Sequence, residues 1–149
     1  MTYEFENPTP MTIDDDLPSK LHSTIEVAEL SGRISRIAAL VDLQHTCVGD
    51  LHISLQSPAG QRVVLFDDLG GSGEDMRETR FDDGAARAVA EGKAPFVGSF
   101  RPLERLAGLA GSDPNGTWTL QIADRATHDG GVLRGWSLTI ETDELAEPI

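Results

Sequence analysis

Apolar and polar residues alternate with a period near two along most of this chain, the spacing that puts every second side chain on one buried face of a strand. From Ser23 onward the pattern runs through Ile25 and Val27, then through Ile37, Ala39, Val41 and Leu43. Asp50 to Gln56 repeats it, Ser57-Pro58-Ala59-Gly60 supplies turn chemistry, and Val63-Val64-Leu65-Phe66 resumes, which predicts a hairpin. The two clearest strands come last. Trp118, Leu120 and Ile122 alternate with Thr117, Thr119 and Gln121, and Trp136, Leu138 and Ile140 alternate with Ser137, Thr139 and Glu141, so both tryptophans are expected in the core.

Other stretches are less regular. Residues 1–20 carry Pro8, Pro10, Pro18 and Asp14-Asp15-Asp16, and are expected to be an extended lead-in to the first strand. A polar, Gly-rich loop at 70–75 precedes Phe81-Asp82-Asp83 and an Ala-rich stretch at 85–90 suited to a short helix. Pro95 to Phe100 reads as a short extended piece, Leu103 to Leu109 as a helical turn, and Asp124 to Gly131 as a polar loop. No internal repeat is present. Many short strands, frequent turn signals and little helix predict two packed antiparallel sheets.

Length and charge narrow the function. A chain of 149 residues with 39% hydrophobic and 25% charged residues has the makings of one globular domain. Twelve Lys and Arg against 25 Asp and Glu give a formal charge of −13, which repels phosphate backbones and anionic lipid, so neither nucleic acid nor a membrane is an expected partner. The lone Cys47 excludes an internal disulfide framework and a cysteine-rich zinc site, and is expected to be a small, half-buried residue. No stretch approaches the roughly 18 apolar residues of a membrane helix. The opening Met1-Thr2-Tyr3-Glu4-Phe5-Glu6 is too acidic to begin a secretory signal, leaving a cytoplasmic chain or an excised part of an exported one.

Motifs for covalent chemistry are missing. Gly70-Gly71-Ser72-Gly73-Glu74 lacks the final glycine of a nucleophile elbow. Nothing in the sequence ties His22, His45, His52 or His128 to a serine and an aspartate. There is neither a His-Glu-x-x-His zinc helix nor a phosphate loop. His45, directly before Thr46-Cys47-Val48-Gly49-Asp50, is expected to fix that turn through a ring nitrogen. Asn115-Gly116-Thr117 fits both a glycosylation acceptor and a turn ahead of a strand, and the turn is favoured. The chain is therefore expected to be no enzyme by itself.

The run from His45 to Gly60 resembles the central motif of the P domain, or Homo B domain, of proprotein convertases and bacterial secreted peptidases. Phe81-Asp82-Asp83, the stretch from Ala94 to Pro102, Asn115 to Leu120 and Gly130 to Thr139 resemble the family's remaining signatures in order. The resemblance spans about residues 12–142, with 1–11 as a leader or linker and 143–149 as a tail. It implies an all-β jelly-roll sandwich, similar to galactose-binding domains, with short helical turns in its loops. It also implies a module that follows a subtilisin-like serine peptidase domain and stabilises it, in cis or in trans. The sequence is expected to depart from that setting in carrying the module without a catalytic domain ahead of it, and Cys47 stands where a bulkier residue is expected. A jelly roll binding carbohydrate or a protein partner is the alternative, because fold alone does not fix function.

Asp50, Asp82, Asp83, Asp124 and Asp129 all fall in loops or at strand ends. Calcium takes six to eight oxygens in flexible geometry, so these carboxylates suit it better than magnesium, and the family resemblance points the same way. The other reading makes them solvated turn aspartates in Asx-turns.

Overall fold

A computed structural model describes residues 1–13, 19–69, 71, 73–124 and 130–143. The described residues form a jelly-roll sandwich of ten strands: β1 Thr2–Asn7, β2 Met11–Ile13, β3 Ser19–Val27, β4 Arg33–His45, β5 Leu51–Gln56, β6 Arg62–Asp67, β7 Met76–Phe81, β8 Gly98–Phe100, β9 Gly116–Asp124 and β10 Gly131–Asp143. One sheet runs β1-β10-β4-β7-β8, with β2 also paired to β10, and the other runs β3-β9-β5-β6. All pairings are antiparallel except β7 with β8.

The inner faces are those the alternation predicts. Trp118, Leu120 and Ile122 from β9 meet Trp136, Leu138 and Ile140 from β10, all buried. Each indole also needs an acceptor, because a buried N–H without one costs about 1–3 kcal/mol. Trp118 donates to the carbonyl of Pro114 at 2.8 Å, and Trp136 crosses between the sheets to donate to Ser23 Oγ on β3 at 2.8 Å. The expected hairpin is present as β5 and β6.

Two expectations are corrected, and one strand is added. Residues 1–11, expected as a leader, supply β1 and β2, and β1 pairs with β10 from Thr2↔Glu141 to Asn7↔Trp136. Tyr3 and Phe5 alternate with Glu4 and Glu6, and this half-buried edge pattern is hidden in sequence by the acidic residues and nearby prolines. Met76-Arg77-Glu78-Thr79-Arg80-Phe81, to which the alternation assigns no element, forms β7. Its period breaks because Glu78 has φ 47° and the register slips between Val41 and Leu43, a bulge that turns Met76, Thr79 and Phe81 all inward. The Ala-rich stretch forms only a 3-10 turn, Val89–Glu91, held by Val89 N–H to Arg101 O at 2.9 Å. A run this short cannot offset the cost of nucleating a helix, so tertiary pairing overrides alanine's helix preference.

The side of the sandwich where β6 and β8 form the two sheet edges is closed by residues 88–104. Leu103 and Glu104 donate their amides to Leu65 and Val64, and Phe66, Phe96 and Phe100 stack edge to face beneath, with centroids 5.4 and 5.8 Å apart. The helical turn expected over Leu103–Leu109 is confined to a 3-10 turn at Leu106–Leu109, which buries both of its leucines and leaves Leu103 exposed.

Candidate functional site

Loops gather at the end of the sandwich where β4 finishes, β10 begins, β9 finishes and β5 begins. His45 is the last residue of β4, lies opposite Gly131, and is 1% exposed. Its Nδ1 accepts the Cys47 N–H at 2.9 Å, which places the ring proton on Nε2, and Nε2 donates to Asp124 Oδ2 at 2.8 Å. Both side chains are fully buried. The turn expectation for His45 holds, and the ring does a second task in anchoring β9 to β4.

The neighbouring loop is pinned to the same place. Asp75 accepts the His45 N–H through Oδ1 at 2.9 Å and donates its own N–H to the His45 carbonyl at 3.0 Å. Val48 and Gly49 donate to the carbonyls of Gly73 and Gly71, and the half-buried Cys47 reaches Gly71 O through Sγ at 3.4 Å. A Cβ at Gly49 would overlap the Gly71 carbonyl, so the turn requires glycine for this approach. Gln44, His45, Thr46, Glu74, Asp75 and Gly130 help line a surface hollow of about 340 Å³ beside this cluster.

The predicted carboxylates fall into two groups. Asp124 and Asp50 belong to the His45 end, Asp124 buried against the imidazole and Asp50 half-exposed in the 3-10 turn Val48–Asp50. Asp82 and Asp83 follow β7 and face the start of β4. The register places Arg36 and His45 nine residues apart on β4, which is roughly 30 Å at strand rise. Asp129 lies outside the described residues. Among the described residues, no three His, Cys, Asp or Glu side chains come together to hold a metal ion.

Asp82 and Asp83 are engaged by protein donors. Asp82 accepts from Arg36 at 2.7 Å and from the Gly84 N–H at 2.9 Å, with Arg80 at 3.5 Å. Burial pushes its carboxyl up, but the Arg36 hydrogen bond, the Gly84 N–H and the charges of Arg36 and Arg80 outweigh this and hold it below the usual aspartate range. The same pair raises the Arg36 guanidinium above its ordinary value. Asp83 accepts the N–H groups of Leu106 and Ala107 at 2.9 and 2.8 Å, fixing the start of the Leu106–Leu109 turn.

His22 and His52 make polar contacts on the outer face of the second sheet. His22 pairs with Gln121 at 2.9 Å, and His52 faces Asp67 at 3.1 Å across β5 and β6. Ser72 and His128 lie outside the described residues. Asn115 donates to Leu30 O and Asp113 Oδ1 while its own Oδ1 accepts the Leu30 N–H, so its side chain is a turn pin. The residues sequence reasoning missed are Asp75, Arg36 and Ser23, whose partners lie 30, 46 and 113 positions away.

Residues 34–140 match the family model of the proprotein convertase P-domain. The chain is 32% identical over 143 residues to the "Calcium-dependent protease" of Trichormus variabilis, covering 90% of this chain and 19% of that protein. It is 36% identical over 111 residues to the protein of the same name from a Nostoc species, covering 72% and 14%. Against "Leupeptin-inactivating enzyme 1" of Streptomyces exfoliatus it is 26% identical, covering 91% and 25%. The chain thus spans a quarter or less of these curated relatives. A serine protease of Aeromonas sobria shares the fold at a TM-score of 0.56 and 20% identity, over 95% of this chain and 27% of that one.

Proposed function

Because the chain belongs to the proprotein convertase P-domain family, we propose that this peptidase-associated module is itself non-catalytic, seats against a subtilisin-like serine peptidase domain in cis or in trans, and stabilises it. The observation that carries the reading is the family match across 34–140, the span that contains both sheets' inner strands and the His45–Asp124 anchor. We take 12–142 as the family unit, with β1 laid along its edge.

In this reading the rigid sandwich adds stability by ordering a surface of its neighbour. Contacts made only with the folded peptidase raise its stability by linkage, while the chain's own residues move no proton and form no bond. The test is hydrolysis of casein, small peptides and esters by the purified chain. No turnover is expected. Turnover that co-purifies with the chain and disappears on mutating one of its serines or Cys47 overturns the non-catalytic reading.

Calcium is the finer part of the proposal, supported by the names of two relatives, "Calcium-dependent protease". Asp82 and Asp83 fit this ion poorly, because a cation there would have to displace Arg36 or strip two amides of their acceptor. Asp50, half-exposed at the end where loop carbonyls also gather, is the residue we assign to it, with Asp129 tested beside it; Asp124, fully buried against the His45 Nε2, could take part only by giving up that imidazole. Bound calcium there would tie those loops together. Thermal midpoints in chelator, calcium and magnesium read the effect, which reaches about 2.7 kcal/mol at a hundredfold excess over the dissociation constant. Asp50→Asn should lose the calcium increment and Asp82→Asn keep it. Equal midpoints in chelator and calcium remove the ion from the account.

A further inference from the structure

β1 ends its sheet, and the phase of its hydrogen bonds fixes which backbone groups face outward. Met1 and Thr142 exchange both main-chain bonds, Met1 N–H to the Thr142 carbonyl at 3.1 Å and Thr142 N–H to the Met1 carbonyl at 3.0 Å. Bonded and non-bonded pairs alternate along an antiparallel ladder, so in the unbroken register from Thr2↔Glu141 to Asn7↔Trp136 it is Tyr3, Phe5 and Asn7 that bond to β10. Thr2, Glu4 and Glu6 therefore aim their N–H and C=O groups at the open edge, where no other strand among the described residues pairs with them. The other edges differ. β8 is three residues long, β6 supplies carbonyls to the Leu103 and Glu104 amides, and on β3 the Thr24 carbonyl accepts Asn7 Nδ2.

The same residues carry charge. Thr2, Glu4 and Glu6 are exposed on the outer face, where Glu141 stands opposite Thr2, while Tyr3, Phe5 and Asn7 are half-buried on the inner one. A hollow of about 310 Å³ lined by Glu4, Phe5, Glu6 and Ser137 opens along the strand. The cations of that face are engaged across the sheet: Arg36 and Arg80 by Asp82, and Arg134 by Gln44. Arg36 lies 4.0 Å from Glu141, and the Met1 ammonium sits on the Thr142 carbonyl beyond the Thr2 end. On β3, the neighbouring edge, Lys20 and Glu26 offset each other. A second copy of β1 is a poor occupant, because the antiparallel register that uses all three open residues sets Glu4 against Glu4, and like charges directly opposite destabilise a pair.

We propose that the open edge of β1 receives an extended segment of a partner protein as an added antiparallel strand, with Lys or Arg opposite Glu4 and Glu6 and an apolar residue between them against Phe5. Main-chain bonds to Thr2, Glu4 and Glu6 supply affinity, and the alternation of basic and apolar residues supplies selection. Residues that exchange both main-chain bonds share a face with Cα atoms about 5.5 Å apart, which brings a lysine or arginine there within reach of the facing carboxylate. The residue between them turns to the inner face, where Phe5 is half covered. This inference is independent of the accessory reading, and its failure leaves that reading standing.

The test titrates the chain at low ionic strength with the end-capped synthetic peptide Thr-Lys-Val-Lys-Val-Lys-Thr and follows amide hydrogen exchange residue by residue. Binding should slow exchange at Glu4 and Glu6 about tenfold and leave Tyr3 and Phe5, already bonded to β10, unchanged. A peptide of the same composition with its lysines consecutive, and one N-methylated at the lysines so that they cannot donate to β1, should each bind about tenfold more weakly. The double variant Glu4→Lys, Glu6→Lys should lose the lysine peptide and gain its glutamate counterpart, Thr-Glu-Val-Glu-Val-Glu-Thr, at an unchanged melting temperature because both side chains are exposed. Equal binding of the rearranged or N-methylated peptide to the wild-type chain reduces the contact to unspecific charge attraction and overturns the added strand, whatever the variant does. Protection at another edge, or at none, also overturns it. So does a dimer that forms without peptide and protects Glu4 and Glu6, which would assign the edge to a second copy.

Discussion

His45→Leu tests the anchor at the loop end of the sandwich. Leucine roughly fills the imidazole's space but removes both ring contacts, to the Cys47 N–H at 2.9 Å and Asp124 at 2.8 Å. The larger loss is at Asp124, whose carboxylate stays fully buried without its imidazole donor. Removing one partner of a buried pair costs about 3–5 kcal/mol, and the Cys47 hydrogen bond adds about 1 kcal/mol. Together these reach about 4–6 kcal/mol, the lower end of the stability of an ordinary domain at about 5–15 kcal/mol. Asp124→Asn is far milder, about 1 kcal/mol, because the amide oxygen still accepts from Nε2. In the Asp124→Asn background the His45→Leu penalty should shrink by about 2 kcal/mol, since no buried carboxylate then loses its imidazole donor. Urea unfolding followed by tryptophan fluorescence gives all four free energies, with constant slope confirming two-state behaviour. A His45→Leu cost under about 1 kcal/mol, or one identical in both backgrounds, would refute the reasoning.

Arg36→Gln should flatten the acid limb of the stability curve. Asp82 is held below the usual aspartate range, so its contribution is complete above that range and is lost as pH falls through its depressed value; a variant curve parallel to wild type over that window contradicts the assignment. Gly131→Ala drives a Cβ into the Gln44 carbonyl across β4, and the β10–β4 register should loosen at a cost of about 1–3 kcal/mol, read as faster exchange of the His45 amide. Trp118→Ala and Trp136→Ala should each cost about 3–5 kcal/mol, with blue-shifted emission from both native indoles; solvent-like emission from either contradicts its burial.

Where one face of a strand is dry and the other wet, the chain states it plainly, as in the alternations around Trp118 and Trp136 and in the Ser57-Pro58-Ala59-Gly60 turn between β5 and β6. β7 was illegible because the bulge at Glu78 interrupts the period that makes strands visible, and β1 because two glutamates occupy its solvent face. The site was legible only as residue types. That His45 would find a partner was readable from its place before a turn; that the partner would be Asp124, 79 positions later, depends on β4 and β9 ending on the same side. The five aspartates looked alike in sequence, yet pairing sends Asp82 toward Arg36 and Asp124 toward His45.

The stabilising role is measured most directly as a half-life. The Trichormus variabilis protease carrying this chain in place of its matching segment, and the same protease carrying an unrelated β-sandwich there, are held at a fixed elevated temperature while residual proteolysis is followed. An accessory module predicts that the first keeps its activity longer by about tenfold, because inactivation passes through opening of the surface that the module covers. Equal half-lives for the two would contradict it.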